Sequence, residues 1–300
     1  MRPSFALQRM SNNTSSTGTT KYGLKNECPR GTVPIRRMSK EEQLRSDFSF
    51  TQELGQSSTG FEFAGMSTKP GKYYGGGGLV SIYNPFADHG QFTSSVISIE
   101  GGPIEEFSTI RAGWMVNPSL YHDNHIRLYT IWGQLSSGAQ IGCYNTYCQG
   151  FVQTNPSIPL DMVLELVSVI GGPQYYVKLM VSQDKETGNW WLTYSESDTP
   201  VGYWPSSLFA NLKDGAQVLG WGGMVSTNTP QLPPMGNGDN GKIHSCTSLN
   251  ATMDVPLTVK GNKCYRTGGN SYKYDYWGYS FYFGGNGGDT EKCSKRSTFH

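Results

Sequence analysis

The sequence predicts an all-β protein, an antiparallel sandwich or barrel, and two observations lead to this fold class. The first is composition: 38 Gly, 16 Pro and 18 Tyr among 300 residues, with only 16% charged residues, favour turns and strands over long helices. The second is that, from Tyr73 onward, short runs of alternating apolar and polar residues are separated by turn residues at intervals of about ten. No helical segments are interleaved with these runs, which argues against a parallel sheet.

The amino-terminal part of the chain differs from the rest. Residues 11–20 are almost all Ser, Asn, Thr and Gly, and the polar stretch Met38–Arg45 is compatible with one helix. The glycine run Gly75–Gly78 could suggest a phosphate-binding loop, but no Lys-Ser/Thr pair and no helix follow it. We therefore expect a flexible turn there, before a strand at Leu79–Ile82.

Five further runs have the length and residue types of strands. They are Ile126–Trp132, Val163–Ile170, Tyr175–Val181, Trp190–Tyr194 and Tyr276–Phe283. Two of the connecting turns are predicted at residues 171–173 and 184–189. Alternation in the third run predicts one buried face formed by Tyr175, Val177, Leu179 and Val181, and a wetter face formed by Tyr176, Lys178, Met180 and Ser182.

Charge and hydropathy exclude several classes of partner. The net charge is +1 and Lys and Arg are scattered, so neither nucleic acid nor an acidic membrane surface is an expected partner. The longest apolar stretch, Met162–Ile170, contains Glu165 and is too short to cross a bilayer. No apolar segment follows the first residues, so the chain as it stands has no signal peptide.

The six cysteines and three glycosylation sequons would suit an oxidising compartment. Cys143 and Cys148 are close enough to pair across a tight turn, and Cys264 and Cys293 flank the last strand pair, although six cysteines permit fifteen connectivities. The sequons are candidates only, because such triplets arise by chance in Ser/Thr/Asn-rich sequence. They begin at Asn12, Asn13 and Asn250.

No cofactor or metal site is expected from the sequence. One C-x4-C pair and scattered histidines lack the ligand spacing of a tetrahedral zinc site. For nucleophilic catalysis, the one conspicuous cluster is His122–His125, and a polar turn between strands explains it better than a catalytic set.

A series of long aromatic motifs resembles the plant neprosin family, in the same order along the chain. These are Tyr73–Gly75, Ile110–Trp114, Val116–Tyr121, Gly142–Asn145, Cys148–Gln153, Gly188–Leu192, Gly202–Phe209, Trp221–Gly223 and Tyr282–Gly285. The match runs from about residue 58 to the end. The resemblance implies a sandwich of two antiparallel sheets, secretion as a zymogen, and cleavage of peptides after proline in acid.

The resemblance also divides the chain. Residues 58–300 correspond to the catalytic-type domain, and Cys28–Arg37 resembles the activation peptide that precedes it, so residues 1–57 are expected to be a partial pro-segment. Members usually have a signal peptide and a further cysteine upstream. We therefore expect a truncated amino terminus, a secreted or vacuolar protein, and open partners for Cys28 and Cys246.

Both glutamates that the family uses for hydrolysis are replaced. In the family motif Ile-Glu-Ala-Gly-Trp the glutamate position is Arg111 here, and in Trp-Gly-Gly-Glu-Val it is Met224. Two nearby carboxylates share a proton, so that one activates water while the other protonates the substrate. The nearest acidic residues in sequence lie at unsuitable offsets or in other segments: Glu105, Glu106, Asp214 and Asp239.

Three hypotheses follow. The first is a pseudopeptidase that keeps the fold and binds a proline-rich peptide or cell-wall protein through four tryptophans, as other aromatic grooves do. These are Trp114, Trp191, Trp204 and Trp221. The alternative interpretation of these tryptophans is that they belong to the core. The second hypothesis is an active prolyl endopeptidase that uses non-standard carboxylates. The third is that Arg111 and Met224 are errors in a degenerate gene model.

Overall fold

The computed structural model of the protein describes residues 29, 31–44, 46, 60–195, 197–238, 245–249, 257–268 and 279–294. Their strands are β1 Gly60–Thr68, β2 Gly75–Ser81, β3 Gln91–Gly101, β4 Ser108–Val116, β5 Arg127–Ser136, β6 Ala139–Tyr144, β7 Val152–Gln153, β8 Tyr176–Gln183, β9 Trp190–Tyr194, β10 Thr199–Trp204, β11 Val218–Thr227, β12 Gln231–Leu232, β13 Ser245–Leu249, β14 Leu257–Lys260, β15 Arg266–Gly268, β16 Tyr279–Gly284 and β17 Gly288–Asp289. The helical segments are short: 40–44 with 46, Pro118–Tyr121 and Thr290–Ser294, and the 3-10 turns Ile104–Glu106 and Ser206–Leu208.

The strands form two large sheets and one small one. The seven-stranded sheet has the order β14-β1-β11-β3-β4-β5-β6, and the eight-stranded sheet has the order β15-β16-β13-β2-β8-β9-β10-β7. Strands β12 and β17 form a two-stranded sheet. Each strand pairing described in these sheets is antiparallel. The predicted all-β class and the two antiparallel sheets are confirmed.

Two tryptophans form hydrogen bonds between the two large sheets. Trp114 of β4 donates its indole N–H to the carbonyl oxygen of Ser81 at 2.7 Å, and Trp221 of β11 donates to the carbonyl oxygen of Gly77 at 3.1 Å. Ser81 and Gly77 belong to β2 of the eight-stranded sheet. Both indoles therefore project into the layer between the sheets, where the hydrophobic core lies.

The alternation predicted for the third run is confirmed in β8. Val177, Leu179 and Val181 are each at most 2% exposed, whereas Lys178 and Met180, which point the other way, are half-buried. The runs Ile126–Trp132 and Trp190–Tyr194 are also strands, as β5 and β9. The predicted Tyr276–Phe283 strand is found from Tyr279 onward, and residues 276–278 lie outside the described part.

Two local predictions are wrong. The glycine run Gly75–Gly78 is the first half of β2 rather than a flexible turn, and it pairs with β8. A Cβ on Gly76 would lie 3.2 Å from the ring of Trp221, so glycine permits the close approach of the sheets there. The segment Val163–Ile170 forms no strand: Val163 makes an isolated bridge, and the backbone bonds that follow go to different segments.

The predicted helix near Met38 is confirmed at residues 40–44 and 46. Its start is a capping box: the Ser39 N–H donates to the Glu42 carboxylate at 2.7 Å, and the Glu42 N–H donates to the Ser39 hydroxyl at 3.1 Å. This backbone hydrogen bond from Ser39 is the main cause of the lowered pKa of Glu42. None of the helices in the described residues is long and apolar enough to cross a membrane.

Both predicted disulfides are formed. Cys143 of β6 is bonded to Cys148, and Cys264 is bonded to Cys293. The remaining cysteines are Cys28, which lies outside the described residues, and Cys246, which lies in β13. The three candidate sequons at Asn12, Asn13 and Asn250 also lie outside the described residues.

Candidate functional site

The outer face of the seven-stranded sheet is defined here as the face that points away from the eight-stranded sheet. Arg111 lies three residues before Trp114 in β4, and Met224 lies three residues after Trp221 in β11. Because side chains alternate along a strand, Arg111 and Met224 point away from the two core tryptophans. The outer face therefore carries both side chains at the two replaced glutamate positions.

Strand β3 separates these two positions. Ser98 of β3 pairs with Arg111 on one side and Gly220 on the other, and Ser94 pairs with Met224. The two positions are thus two strands apart across the sheet and offset by four residues along it. On a flat sheet this spacing puts their Cα atoms roughly 16 Å apart.

Two glycines flank the middle of β3, between the two positions. Val96 is midway along β3, and its cross-strand partners are Gly113 in β4 and Gly222 in β11. A Cβ on Gly113 would lie 1.8 Å from the carbonyl oxygen of Ser95, and one on Gly222 would lie 2.3 Å from that of Ala64. Neither glycine can carry a side chain without a backbone shift, because the neighbouring strands of the same sheet, β3 and β1, approach them closely.

Arg111 and Met224 are both buried, at 7% and 4% exposure. The register surrounds them with hydroxyl and apolar groups, which share the outer face: Phe63, Ser94, Ser98, Thr109, Met115, Tyr129 and Ile131. A buried guanidinium is costly unless hydrogen bonds or an anion compensate it. Arg111 does have interactions within the folded chain.

The charged residues on the outer face are mostly basic. Among the described strands of this sheet, the register places Arg111, Arg127 and Lys260 on the outer face, together with a single acidic residue, Glu100. Arg127 is paired with Asp123, with a distance of 2.8 Å between nitrogen and oxygen. Burial raises the pKa of Asp123, but the hydrogen bonds from Arg127 outweigh it and hold the pKa well below its usual value.

Comparison with known protein families identifies the family of this chain. The family model named Neprosin matches residues 89–286, about two thirds of the chain. The chain belongs to the neprosin family. The matched region of the neprosin domain includes both Arg111 and Met224, together with every strand from β3 to β16.

Two solved structures are similar to the neprosin domain at very low identity. One is a crystal structure of Scytalido-glutamic peptidase with a peptide-based transition state analog, with 5% identity and a TM-score of 0.36, which covers 76% of this chain and 98% of that one. The other is CG-16, a homodimeric agglutinin from chicken liver, with 8% identity and a TM-score of 0.27, which covers 66% of this chain and 99% of that one.

The four tryptophans do not lie on the outer face. Trp114 and Trp221 point between the sheets, and Trp204 packs edge-on against Phe151 with ring centroids 4.8 Å apart. Trp191 lies in β9 of the eight-stranded sheet and packs on the ring of Tyr203 at 4.9 Å.

Each of these four indoles is at most 1% exposed. This burial agrees with the interpretation that they belong to the interior. Ligand stacking on them stays a prediction.

The amino-terminal segment contacts the neprosin domain beside its disulfide loop. The side-chain amide of Gln153 donates to the carbonyl oxygen of Pro34 at 3.4 Å, and the Arg36 guanidinium donates to the Tyr147 hydroxyl at 3.0 Å. Met38 is half-buried and packs against the core cluster. The described residues of this segment are therefore docked on the domain rather than separate from it.

The docked Arg36 adjoins a buried carboxyl group that the sequence analysis missed. Asp161 accepts a hydrogen bond from the Tyr121 hydroxyl at 2.7 Å and another from the side-chain amide of Asn145. Burial raises the pKa of Asp161, against the opposing effect of the Tyr147 and Tyr121 hydroxyls and of Arg36. No sequence motif marks this carboxyl group, because its partners come together only through the fold.

Among the acidic residues considered from sequence, none in the described part lies on the outer face. Glu105 and Glu106 are exposed in the 3-10 turn before β4, and Asp214 is exposed in a loop, whereas Asp239 lies outside the described residues. The acidic residue that the register does place there, Glu100, was missed. No group of three or more His, Cys, Asp or Glu within the described ranges could hold a metal ion.

Proposed function

We propose that this neprosin-domain protein binds proline-rich peptide segments on its outer face and does not cleave them. The observation that carries the proposal is the pair of replacements at Arg111 and Met224, which share that face. The family reaction needs one carboxylate to accept a proton from water and one carboxyl group to donate a proton. A guanidinium stays protonated and a thioether does not titrate, so neither residue can take either part.

The lining of the outer face suits an extended peptide. The glycines beside Val96 place no side chains on the outer face, and Ser94 and Thr109 contribute hydroxyl groups to it. Phe63 of β1 is the cross-strand partner of Met224, and its ring offers an apolar contact for a proline ring. Binding by such a surface needs shape and burial, and it needs no acid–base pair.

The location and the role of the amino-terminal segment are also proposals. The two disulfides and the neprosin domain are compatible with an extracellular protein, and we propose that the chain is secreted or vacuolar. We further propose that residues 1–57 are a partial pro-segment preceding the domain at 58–300. The contact of Arg36 with Tyr147 supports docking of this segment on the domain.

The first test is cleavage of a quenched proline-containing peptide at about pH 3–5, the range in which a carboxyl pair can share a proton. The natural protein is compared with the double variant Arg111→Glu/Met224→Glu. The matched control is Arg111→Gln/Met224→Gln, which has nearly the same side-chain size without an acid. We expect the natural protein and the glutamine control to be inactive and the glutamate variant to gain activity.

Binding is measured in parallel with an uncleavable proline-rich peptide. Saturable binding by the natural protein, with no turnover, supports the proposal. Cleavage by the natural protein at a rate matching the glutamate variant contradicts it, and so does the absence of any peptide binding.

A second candidate function is an active endopeptidase with a non-standard carboxylate. The observation that favours it is Glu100, which lies on the outer face two residues from the partner of Arg111. One carboxyl group can activate water, but the second part of the reaction would need another donor. If the natural protein cleaves the peptide and Glu100→Gln abolishes cleavage, this candidate replaces the first.

A further inference from the structure

The amino-terminal segment reaches the neprosin domain through an arginine side chain. Arg36 donates from Nη1 to the Tyr147 hydroxyl oxygen at 3.0 Å, and its guanidinium lies 5.9 Å from the centroid of the Tyr121 ring. Its neighbours Ile35 and Arg37 are exposed. The Arg36 side chain is itself 34% exposed, so the position that it occupies lies at the surface of the domain.

Two phenols and a carboxylate of the domain meet at this position. Tyr121 and Tyr147 both hydrogen-bond to Asp161, the first at 2.7 Å, and an ionised carboxylate can only accept, so the two hydroxyls donate. A phenol that donates its proton inward presents only oxygen lone pairs to an arriving group. The position therefore suits a ligand with several N–H donors and a positive charge, and a guanidinium has both.

Contacts within the domain hold the carboxylate in place. Asp161 has a φ of 70°, a left-handed conformation that aspartate tolerates, and its backbone N–H donates to the carbonyl oxygen of Leu128 in β5 at 3.0 Å. Asn145 accepts from the Thr130 N–H of β5 at 2.7 Å, and its side-chain amide donates to Asp161. Because each of these contacts joins residues of the domain, the position is formed without help from the segment.

The charges around the position favour a cation once the segment is displaced. Arg127 of the domain lies 4.6 Å from the same tyrosine ring, but it is paired with Asp123. Arg36 also pairs with Glu42, at 2.6 Å, and both belong to the segment. Displacement therefore removes one positive and one negative charge together. The domain keeps the Arg127–Asp123 pair and the carboxylate of Asp161, which then lacks the arginine that faced it.

We propose that Tyr121, Tyr147 and Asp161 form an arginine site, which Arg36 occupies from within the chain and which an arginine of another polypeptide occupies when the segment is displaced. The ligand class is an arginine-bearing peptide. A guanidinium can donate to a phenol oxygen with one nitrogen while its plane contacts an aromatic ring. A lysine ammonium is a compact charge and makes these contacts less well.

This inference does not depend on the proposed function, because it needs neither Arg111 nor Met224. It concerns the position where the segment docks, and its ligand is defined by a guanidinium rather than by proline.

The experiment vacates the arginine site within the full chain. Arg36→Ala removes the occupant, and Arg37→Ala is the matched control because Arg37 is exposed. The natural protein and both variants are titrated with N-acetylarginine amide, N-acetyllysine amide and N-acetylcitrulline amide, the last being a neutral isostere of arginine. A pH of about 8 favours the ionised carboxylate. Isothermal titration calorimetry and the rise in Tm report binding.

Arg36→Ala is expected to bind the arginine probe at least about tenfold more tightly than the citrulline probe, because charge-assisted hydrogen bonds are the stronger ones. The lysine probe is expected to fall between the two. The natural protein and Arg37→Ala are expected to bind the arginine probe at least about tenfold more weakly than Arg36→Ala does, because Arg36 still fills the site and its tether gives it a high effective concentration.

Two further substitutions, each combined with Arg36→Ala, identify the groups that bind the probe. Asp161→Asn removes the negative charge at nearly the same size, so it is expected to abolish the preference for arginine over citrulline. Tyr147→Phe removes the hydroxyl acceptor and is expected to weaken arginine binding several-fold. If the protein with Asp161→Asn does not fold, the result with Tyr147→Phe decides.

Three results would overturn the inference. They are equal binding of the arginine and citrulline probes to Arg36→Ala, equal binding of the arginine probe to all three proteins, and no binding of any probe to Arg36→Ala. None of these results changes the expected binding of a proline-rich peptide, so failure of this inference is distinguishable from failure of the proposed function.

Discussion

Replacing Trp114 with phenylalanine should cost clearly more stability than replacing Trp204 with phenylalanine. Both indoles are 0% exposed, so the two substitutions remove the same group from equally buried surroundings. The difference is the indole N–H. In Trp114 it donates to the carbonyl oxygen of Ser81 at 2.7 Å, whereas in Trp204 it has no hydrogen-bond partner among the described residues.

The magnitudes follow from these two environments. Because phenylalanine has a smaller ring than tryptophan, each variant loses about 1–2 kcal/mol of unfolding free energy, as deletion of a few buried carbons does. Trp114→Phe also leaves the Ser81 carbonyl buried without that donor, which adds about 1–3 kcal/mol. Trp204→Phe removes an unpartnered buried donor, so it carries no such addition. We expect Trp114→Phe to be the less stable variant by about 2 kcal/mol.

Urea unfolding followed by far-ultraviolet circular dichroism measures both free energies, provided that the slope with denaturant is unchanged. Trp221→Phe is an internal check, because its indole also bonds across the sheets, at 3.1 Å to Gly77. Equal losses for Trp114→Phe and Trp204→Phe, or a larger loss for Trp204→Phe, would refute the reasoning that inter-sheet hydrogen bonds distinguish these tryptophans.

Three further predictions concern the disulfides, a buried acid and the docked segment. Removing the Cys264–Cys293 bond by double serine substitution should lower the free energy of unfolding by about 4 kcal/mol on the chain-entropy estimate, because it closes a loop with a sequence separation of 29; calorimetry measures this. Burial raises the pKa of Asp161 above its usual 3.8, so its contribution to stability is full below 3.8 and is lost as pH rises through the folded-state pKa; Asp161→Asn should therefore flatten the fall in stability from pH 4 to 7 in urea titrations. Arg36→Ala should speed hydrogen exchange of residues 31–44 and leave the urea midpoint of the domain unchanged.

A specific result would contradict each of these three predictions. A disulfide variant that loses less than about 1 kcal/mol would show that native-state strain or denatured-state structure cancels the loop term. A steeper pH dependence in Asp161→Asn would mean that its carboxyl is ionised in the folded protein without cost. For the segment, Arg37→Ala is the matched control, since Arg37 is exposed; equal effects of the two arginine variants would exclude a specific contact with Tyr147.

Alternation and motif order were sufficient to predict the fold class and several of the strands, such as β5, β8 and β9. Val177, Leu179 and Val181 are buried because a period of two matches the pleat, and such local signals survive in any context. The glycine run at Gly75–Gly78 was misassigned because its reason lies elsewhere in the chain. Its strand conformation depends on how close Trp221 comes from the other sheet, which no local pattern contains.

The candidate site was also predictable only in part, because local motifs show some of its residues and long-range contacts determine the others. The motifs located Arg111 and Met224, and the register places them on one face. Glu100 and Asp161 were missed, because each acquires its meaning from strands far away in sequence. The burial of four tryptophans was one of two interpretations open from composition, and only their contacts distinguish a buried ring from one that faces a ligand.

The order of strands also has a consequence for how the protein is made. Strand β1 pairs with β11 and β14, so its first partner is synthesised only when residues 218–227 have left the ribosome. Such long loops slow folding, because their closure entropy precedes any gain from pairing. Until then the nascent chain carries an unpaired strand edge, which is prone to pair with other chains. We expect folding to be largely post-translational and dependent on protection of this edge.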